Sequence, residues 1–299
     1  MTKINMTYFW IMTSIVFSIL WSSAFIAGKI AIRNCPPLLL LGIRFFIAGI
    51  ILLIIAKILG YEDLFCIRNI YKITLLGILN NVLYLGLVFI GLKNVSASVV
   101  VVLVSLTPII TTMFSVLFLI EKITPLAVVG LILGLVGTAI IAVYDSNVYF
   151  DMNGLILILL GVSAFSLGTI LFNKLELNNY PLLYLVAYQS IIGSVPLFIM
   201  SYFIEDFSLL HLNAQLIFSI SYLVFVVSIG ATILWFHILR KLDPSLASSV
   251  HYLNPIFGSI LAVIFLGEKI HHYFILGLMM ILTGIFLIQT NRRHNANNN

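Results

Sequence analysis

The chain has 299 residues, of which 62% are hydrophobic and only 8% charged, with a formal net charge of +5 and a mean hydropathy of +1.19. A soluble domain carries about 25% charged residues, so this composition excludes a soluble globular protein. The basic residues are scattered at the ends of apolar runs rather than clustered. That distribution argues against a nucleic-acid partner and points to a membrane.

Apolar segments follow one another along the whole chain, each near the roughly 20 residues that cross the hydrocarbon core of a bilayer. Turn-forming residues separate them, among them Pro36-Pro37, Asp145-Ser146-Asn147 and Asp243-Pro244. The pattern predicts an all-α integral membrane protein of ten transmembrane helices. The predicted spans are Tyr8–Ile32, Pro37–Leu59, Ile70–Leu92, Val95–Ile120, Pro125–Tyr144, Asn153–Phe172, Pro181–Phe203, Ala214–Leu239, Leu246–Leu266 and Tyr273–Gln289.

The loops between these spans differ in basic content. With a cytoplasmic N-terminus, only Arg33, Lys93 and Lys269 fall in outer loops, and the remaining loop lysines and arginines fall inside. Because cytoplasmic loops are enriched in lysine and arginine, both termini are predicted to be cytoplasmic. The polar segment 291–299 is predicted to be a disordered cytoplasmic tail.

The sequence carries no motif for catalysis or for a bound cofactor. Its two cysteines, Cys35 and Cys66, fall in loops on opposite sides of the second span, which argues against a disulfide and against a metal cluster. Zinc-protease, serine-hydrolase and nucleotide-binding motifs are absent from the sequence. We therefore expect no enzymatic activity, no metal and no cofactor.

The second half of the sequence repeats the first. A shift of 147 residues aligns the halves without gaps over the fourth and fifth spans against the ninth and tenth. The aligned pairs include Pro108 with Pro255, Gly130 with Gly277, and Gly137 with Gly284. We predict two repeats, residues 1–147 (helices 1–5) and 148–290 (helices 6–10). Because five is odd, the repeats must insert with opposite orientations, as in secondary transporters whose substrate site lies near the midplane.

Several short motifs resemble those of a known transporter family. The run Trp21-Ser22-Ser23-Ala24-Phe25, followed by Lys29, Pro36-Pro37 and Arg44-Phe45, is similar to the opening of an EamA repeat. The later set Ala97-Ser98, Pro108, Glu121-Lys122 and Gly137 recurs as Ala247-Ser248, Pro255, Glu268-Lys269 and Gly284. The chain thus resembles, over nearly its whole length, the ten-helix EamA branch of the drug/metabolite transporter superfamily. The resemblance implies export of amino acids or other metabolites, or import of metabolites.

The sixth span departs from this pattern. Gly161 stands where Trp21 does in the first repeat, and Thr169 where Lys29 does. We therefore expect a binding cavity that is chemically asymmetric between the two repeats.

Charged residues are distributed unequally with depth. Every aspartate and glutamate lies in a loop or within about a turn of a predicted helix end, which argues against the usual carboxylate relay for protons or sodium. Arg44 lies about seven residues into the second span, roughly 10 Å deep at about 1.5 Å per residue. It could attract an anionic substrate group such as a carboxylate, pair with helix-end carbonyls or a loop acid, or snorkel outward, as expected for Lys29.

Polar side chains in mid-span concentrate on the third, fourth and ninth spans. In lipid they serve either as interhelical contacts or as cavity lining. Prolines 108 and 255 each free a carbonyl four residues earlier, which suits a binding site near the midplane. We predict that Arg44, Tyr84, Tyr252 and Asn254 face one cavity. The full set of candidate substrate-binding residues is Trp21, Arg44, Asn80, Tyr84, Ser105, Thr107, Trp235, His251, Tyr252 and Asn254.

Some of these candidates have a second interpretation. Trp21 and Trp235 form apolar walls of the cavity or pack between helices. Histidine is the side-chain type that can titrate near neutral pH, so His251 is either a proton-coupling site or a core histidine. Glu121 and Glu268, beside lysines at predicted helix ends, are interpreted as structural.

The sequence as a whole predicts a secondary transporter that moves a small metabolite across the cytoplasmic (inner) membrane by alternating access. An amino acid or related compound is the preferred substrate and export the preferred direction, with membrane lipid as the other partner. Two alternatives stay open. One is an importer or exchanger of a metabolite such as a nucleoside-type cofactor; the other is a passive channel or lipid-handling protein. Substrate identity, coupling ion and oligomeric state are not determined by the sequence.

Overall fold

The protein is described by a computed structural model that covers residues 3–63, 70–95, 100, 103–119, 123–143, 151–266 and 273–297. Within these ranges the regular structure is helical and contains no strand. Cys66, Glu121, Asp145 and Glu268 lie outside the described residues. The principal helices are α1 (Lys3–Ala31), α2 (Pro37–Ile58), α3 (Ile70–Gly91), α4 (Thr107–Leu119), α5 (Pro125–Val143), α6 (Met152–Lys174), α7 (Leu182–Ile204), α8 (Ala214–Leu239), α9 (Pro244–Ser249, Val250–Leu253 and Asn254–Leu266) and α10 (Tyr273–Asn297).

Length and hydropathy show which of these helices suit a bilayer. Six described helices, α1 to α3 and α6 to α8, are long and apolar enough to cross it, and shorter apolar stretches lie in α4, α5 and α10. Their outer faces carry large exposed hydrophobic side chains such as Phe218, Phe225 and Phe286. Lipid, rather than water, solvates such a surface favourably. The chain is therefore a multi-pass, all-helical membrane protein.

Helix ends fall where the sequence supplies capping residues. Pro37 is the first residue of α2 and Pro181 immediately precedes α7, positions at which the missing proline N–H costs no helical hydrogen bond. Asp151 Oδ2 accepts the Gly154 N–H at 3.1 Å, which caps α6. These local signals explain why α2, α3, α6, α7 and α8 begin and end within two residues of the predicted spans.

The start of α2 is also capped from a distant part of the chain. Glu205, at the end of α7, accepts the Leu38 N–H on Oε1 at 2.9 Å and the Leu39 N–H on Oε2 at 3.0 Å. A carboxylate there satisfies two helix-end donors and interacts favourably with the helix dipole. Cys35 is buried beside this cap, where burial, with a smaller contribution from Glu205, raises the pKa of its thiol to about 12.

Replacing Glu205 with alanine should lower the stability of the purified protein by about 1 kcal/mol, because two N–H groups of α2 lose their acceptor. The measurement is thermal unfolding in detergent, with Glu62→Ala, at an exposed loop position, as the matched control. Equal melting temperatures for the two variants would mean that the cap contributes nothing.

The C-terminal segment differs from its predicted form. Helix α10 continues to Asn297, through most of the segment 291–299 that was expected to be disordered. The sequence from residue 285 onward contains neither glycine nor proline, so no residue in this segment breaks the helix.

Irregular turns occur at equivalent places in the two halves. Helix α3 contains a π segment at Ile78–Gly86 and α8 contains one at Leu223–Ala231. Helix α9 tightens to a 3-10 turn at Val250–Leu253, immediately before Asn254 and Pro255. Because π segments are often found at functional sites, the helices that contain these turns are candidates for forming the site.

Helix packing is arranged around two long pairs. Helix α2 packs against α7, and α5 packs against α10. Helix α1 contacts α8 and α9, while α6 contacts α3 and α4. The first three helices of each half therefore meet in the middle of the molecule, where the candidate site lies.

Candidate functional site

A small cavity lies between α1, α2 and α3 on one side and α6, α7 and α8 on the other. Its volume is about 20 Å³, which holds roughly one water molecule. The lining residues are Trp21, Arg44, Phe45, Asn80, Asn81, Tyr84, Leu85, Phe165, Gln189, Ser190, Thr232, Trp235 and Phe236. Both halves of the chain thus contribute, with the charged residue coming from the first half.

Five predicted site residues line this cavity: Trp21, Arg44, Asn80, Tyr84 and Trp235. The rings of Trp21 and Tyr84 are nearly parallel, 7° apart in plane with centroids 6.5 Å apart. Both tryptophans also pack on aromatic neighbours, so the two interpretations of these residues, wall and packing, describe the same arrangement.

Phe165 of α6 completes the aromatic wall. Its ring centroid lies 4.6 Å from that of Tyr84 and 5.4 Å from that of Trp235. It therefore joins residues of α3 and α8 at the centre of the molecule. Phe165 was not among the candidate residues, although a shift of 140 residues pairs Ser163-Ala164-Phe165 with Ser23-Ala24-Phe25 of the first repeat.

Arg44 is the only charged residue among those that line the cavity. Its side chain is 2% exposed, and its Nε donates to Ser228 Oγ at 2.5 Å. Nη1 is buried without a hydrogen-bond partner, and no carboxylate of the described residues interacts with the guanidinium. Arg44 therefore neither snorkels nor pairs with a described loop acid. Lys29, in contrast, is exposed as expected.

Three amide side chains lie on the same cavity. Asn81 Nδ2 donates to the Gln189 carbonyl at 3.1 Å, which fixes the π segment of α3 against α7. Asn80 Oδ1 and Gln189 Oε1 are buried and have no donor among the described residues. Asn80 packs against Gly168, where an added Cβ would overlap its amide oxygen. The cavity thus combines a cation that has no carboxylate partner among the described residues with two neutral acceptors that have no described donor.

His251 lies behind the aromatic wall and is not a lining residue. Four rings surround its imidazole: Phe17, Trp21, Phe165 and Trp235, with centroid distances from 4.9 to 5.7 Å. Its Nδ1 is 3.0 Å from Asn254 Nδ2, and its Nε2 is buried without a partner among the described residues. His251 is therefore adjacent to the cavity, but aromatic rings lie between its imidazole and the cavity.

Tyr252 and Asn254 are not where the sequence placed them, because neither lines the cavity with Arg44 and Tyr84. The Tyr252 hydroxyl donates to the Leu131 carbonyl of α5 at 2.8 Å, and its ring packs on Gly134. The reason is the 3-10 turn, in which residues three apart eclipse one another. Asn254 therefore lies on the side of His251, while Tyr252 turns to α5.

The carbonyls freed by the two prolines are also satisfied locally. Thr107 Oγ1 donates to the Val104 carbonyl at 2.6 Å, four residues before Pro108. The Asn254 N–H donates to the His251 carbonyl, four residues before Pro255. One nearby donor therefore occupies each of these carbonyls in the described structure.

Ser105 and Thr107 are buried but lie outside the cavity lining. The Thr107 carbonyl accepts from Ser166 Oγ at 3.4 Å, which joins α4 to α6. Conversely, the candidate residues predicted from the sequence did not include Gln189 of α7 or Ser228 of α8. Their mid-span position was visible in the sequence, but their proximity to Arg44 depends on helices more than 140 residues away along the chain.

The arrangement has a definite chemical character. A buried guanidinium with a free N–H donor favours an anionic group, because such a donor forms a charge-assisted hydrogen bond with a carboxylate or phosphate. The lining contains no nucleophile–base pair, and no group of three or more metal-binding side chains occurs among the described residues. The site is thus suited to binding a small polar anion among aromatic walls.

Comparison with known proteins identifies relatives over about nine-tenths of the chain. The profile of the EamA-like transporter family matches residues 8–143 and 152–290. The uncharacterized transporter YvbV of Bacillus subtilis (strain 168) is 31% identical over 274 residues, which cover 91% of this chain and 88% of YvbV. The uncharacterized inner membrane transporter YedA of Escherichia coli (strain K12) is 28% identical over 90% of this chain and 87% of its own.

Two more distant similarities add to this comparison. A probable amino-acid metabolite efflux pump of Salmonella typhimurium is 22% identical over 90% of this chain and 91% of the pump. A solved crystal structure superposes with a TM-score of 0.78 over 94% of this chain and 97% of the other, at 17% sequence identity. The last similarity shows that the fold is shared.

Proposed function

The chain belongs to the EamA-like transporter family, and we propose that it is a secondary transporter of a small metabolite that carries a carboxylate. An amino acid or related compound is the proposed substrate, export across the cytoplasmic (inner) membrane the proposed direction, and alternating access the mechanism. The similarity to a probable amino-acid metabolite efflux pump favours this class of substrate and this direction.

The proposal rests on one observation, the burial of the Arg44 cation without a described carboxylate partner. A cation at this depth costs on the order of 3 kcal/mol by insertion scales, and in the described structure no carboxylate offsets that cost. Such groups in membrane proteins lie on substrate and ion pathways. A substrate carboxylate at Nη1 would supply the missing anion.

The contacts between α5 and α10 support an inverted repeat. A Cβ added at Gly130 would lie 2.6 Å from the Gly284 carbonyl oxygen, and one added at Gly137 would lie 2.7 Å from that of Gly277. Since the duplication pairs Gly130 with Gly277 and Gly137 with Gly284, each contact joins non-equivalent positions of two equivalent helices. Reciprocal contacts of this kind are those of an antiparallel, two-fold arrangement.

The size of the cavity bears on the mechanism. At about 20 Å³ it is far smaller than the roughly 300–1,000 Å³ of a small-molecule site. Substrate entry therefore requires α1–α3 to move relative to α6–α8. In an inverted-repeat transporter this motion is a rocking of one half against the other around the central site.

The test is transport by the full chain in proteoliposomes. Saturable uptake of a radiolabelled amino acid, accelerated when the same unlabelled amino acid is present inside, would agree with the proposal. Counterflow of nucleosides alone would favour the metabolite exchanger. Flux that neither saturates nor responds to substrate on the opposite side would overturn the carrier mechanism in favour of a channel.

A further inference from the structure

A second small cavity lies next to the first and shares part of its wall. It also has a volume of about 20 Å³ and shares Trp21, Arg44, Tyr84 and Leu85 with the first. Its remaining walls are apolar and consist of Ala24, Phe25, Phe89 and Val227. Arg44 thus stands between a polar cavity and an apolar one.

The two cavities are displaced along the helix axes. Phe25 follows Trp21 by one helical turn on α1, and Phe89 follows Tyr84 by just over one turn on α3. Helix α8 is antiparallel to α1, since Trp10 stacks on His237 and Tyr222 donates to Ser23. On α8, Val227 precedes Trp235 by about two turns. All three displacements point towards the same end of the helix bundle, so the cavities are stacked along the direction of transport.

The polar cavity contains acceptors as well as the Arg44 cation. Gln189 Oε1 and Asn80 Oδ1 are buried and have no donor among the described residues, and both residues line that cavity. A ligand that offered only a carboxylate would occupy Arg44 Nη1 and leave these two oxygens without hydrogen bonds. A ligand that also carried an ammonium group would supply N–H donors to them.

We infer that the site binds a zwitterionic amino acid with an apolar side chain: the carboxylate at Arg44, the ammonium at the amide oxygens of Gln189 and Asn80, and the side chain in the second cavity. This inference rests on the proposed function and adds the identity of the head group and tail. It disfavours simple amines, since no carboxylate of the described residues reaches the cavity. It also disfavours charged side chains, since the second cavity offers them no partner.

The experiment compares three compounds of the same skeleton on the purified full-length protein. L-Leucine carries both head groups, 4-methylpentanoate lacks the ammonium, and 3-methylbutylamine lacks the carboxylate. Calorimetric titration should give L-leucine a dissociation constant at least about tenfold lower than that of 4-methylpentanoate, with weaker binding still for 3-methylbutylamine.

Substitutions test which residues bind the ammonium group and which bind the side chain of the ligand. Gln189→Leu should weaken L-leucine about tenfold and leave 4-methylpentanoate unchanged, whereas Gln215→Leu, the same change at an exposed position, should alter neither. If Gln189→Leu does not yield folded protein, Gln189→Met replaces it with a side chain of similar length. Ala24→Leu, which fills the second cavity, should weaken L-leucine while L-alanine binds as before.

The possible failures are distinguishable. Equal affinities for L-leucine and 4-methylpentanoate, unaffected by the Gln189 variant, would overturn the ammonium site while leaving the proposed carboxylate transporter intact. Tight binding of L-lysine, or Ala24→Leu without effect on L-leucine, would overturn the assignment of the second cavity. Absence of binding by both carboxylates would contradict the proposed function itself and this inference with it.

Discussion

Substitution of Arg44 by glutamine should reduce substrate transport about ten- to a hundredfold, since a hydrogen bond to a charged group contributes roughly 1.5–3 kcal/mol. The same substitution should leave the melting temperature of the substrate-free protein unchanged or higher. The reason is that Arg44 is buried without a described counter-ion, so its removal relieves a desolvation cost. A residue with a purely structural role would show the opposite pair of results.

The matched control for this experiment is Arg33→Gln, the same change at an exposed loop position. Arg44→Lys should fall between wild type and Arg44→Gln, because lysine keeps the charge but lacks the planar donor pair. The measurements are initial transport rates in proteoliposomes and thermal unfolding in detergent. Normal transport by Arg44→Gln would rule out Arg44 as the anion-binding group.

A methyl group at Gly284 should destabilise the protein by about 1–3 kcal/mol, the usual cost of overpacking an interior contact. A Cβ there would lie 2.5 Å from the Gly130 carbonyl oxygen and 2.8 Å from the Gly134 amide nitrogen. Both neighbours are backbone atoms, so no side-chain rotation can relieve the overlap. Small residues at helix crossings permit this close approach in membranes.

The Gly284→Ala variant is compared with Gly258→Ala. The nearest atom to an added Cβ at Gly258 is the Ser22 Cβ, at 3.9 Å, which is an ordinary contact. Thermal unfolding of both variants in the same detergent isolates the effect of the α5–α10 crossing. Indistinguishable melting temperatures would show that the two helices can separate without cost.

The same geometry determines which glycine can serve as a control in binding studies. Gly134→Ala would place a Cβ 2.6 Å from the Tyr252 ring. Tyr252 is fully buried and bonded to the Leu131 carbonyl of α5. An effect of Gly134→Ala on ligand binding would therefore reflect disturbed packing, whereas Gly258→Ala leaves that packing intact.

The sequence predicted which segments lie in lipid and which lie in water, because this partition depends on local composition. The apolar runs and their proline, aspartate and asparagine breaks predicted α2, α3, α6, α7 and α8 to within two residues. The depth of Arg44 and the lack of mid-span carboxylates were likewise visible, because position along a span translates directly into depth. Trp21, Asn80, Tyr84 and Trp235, which the sequence grouped with Arg44, line the same cavity as Arg44.

The direction in which each side chain points was decided only by the tertiary structure. Helices that are apolar on all sides carry no periodic signal of which face meets a neighbour. The 3-10 turn in α9 therefore sends Tyr252 to α5 and leaves Asn254 beside His251, although the sequence grouped both with Arg44. Likewise, Gln189 shares a cavity with Arg44, and Ser228 accepts the Arg44 hydrogen bond, only because α7 and α8 pack against α2. Hydropathy thus determines depth along the membrane normal, and helix packing determines which side chains share the site.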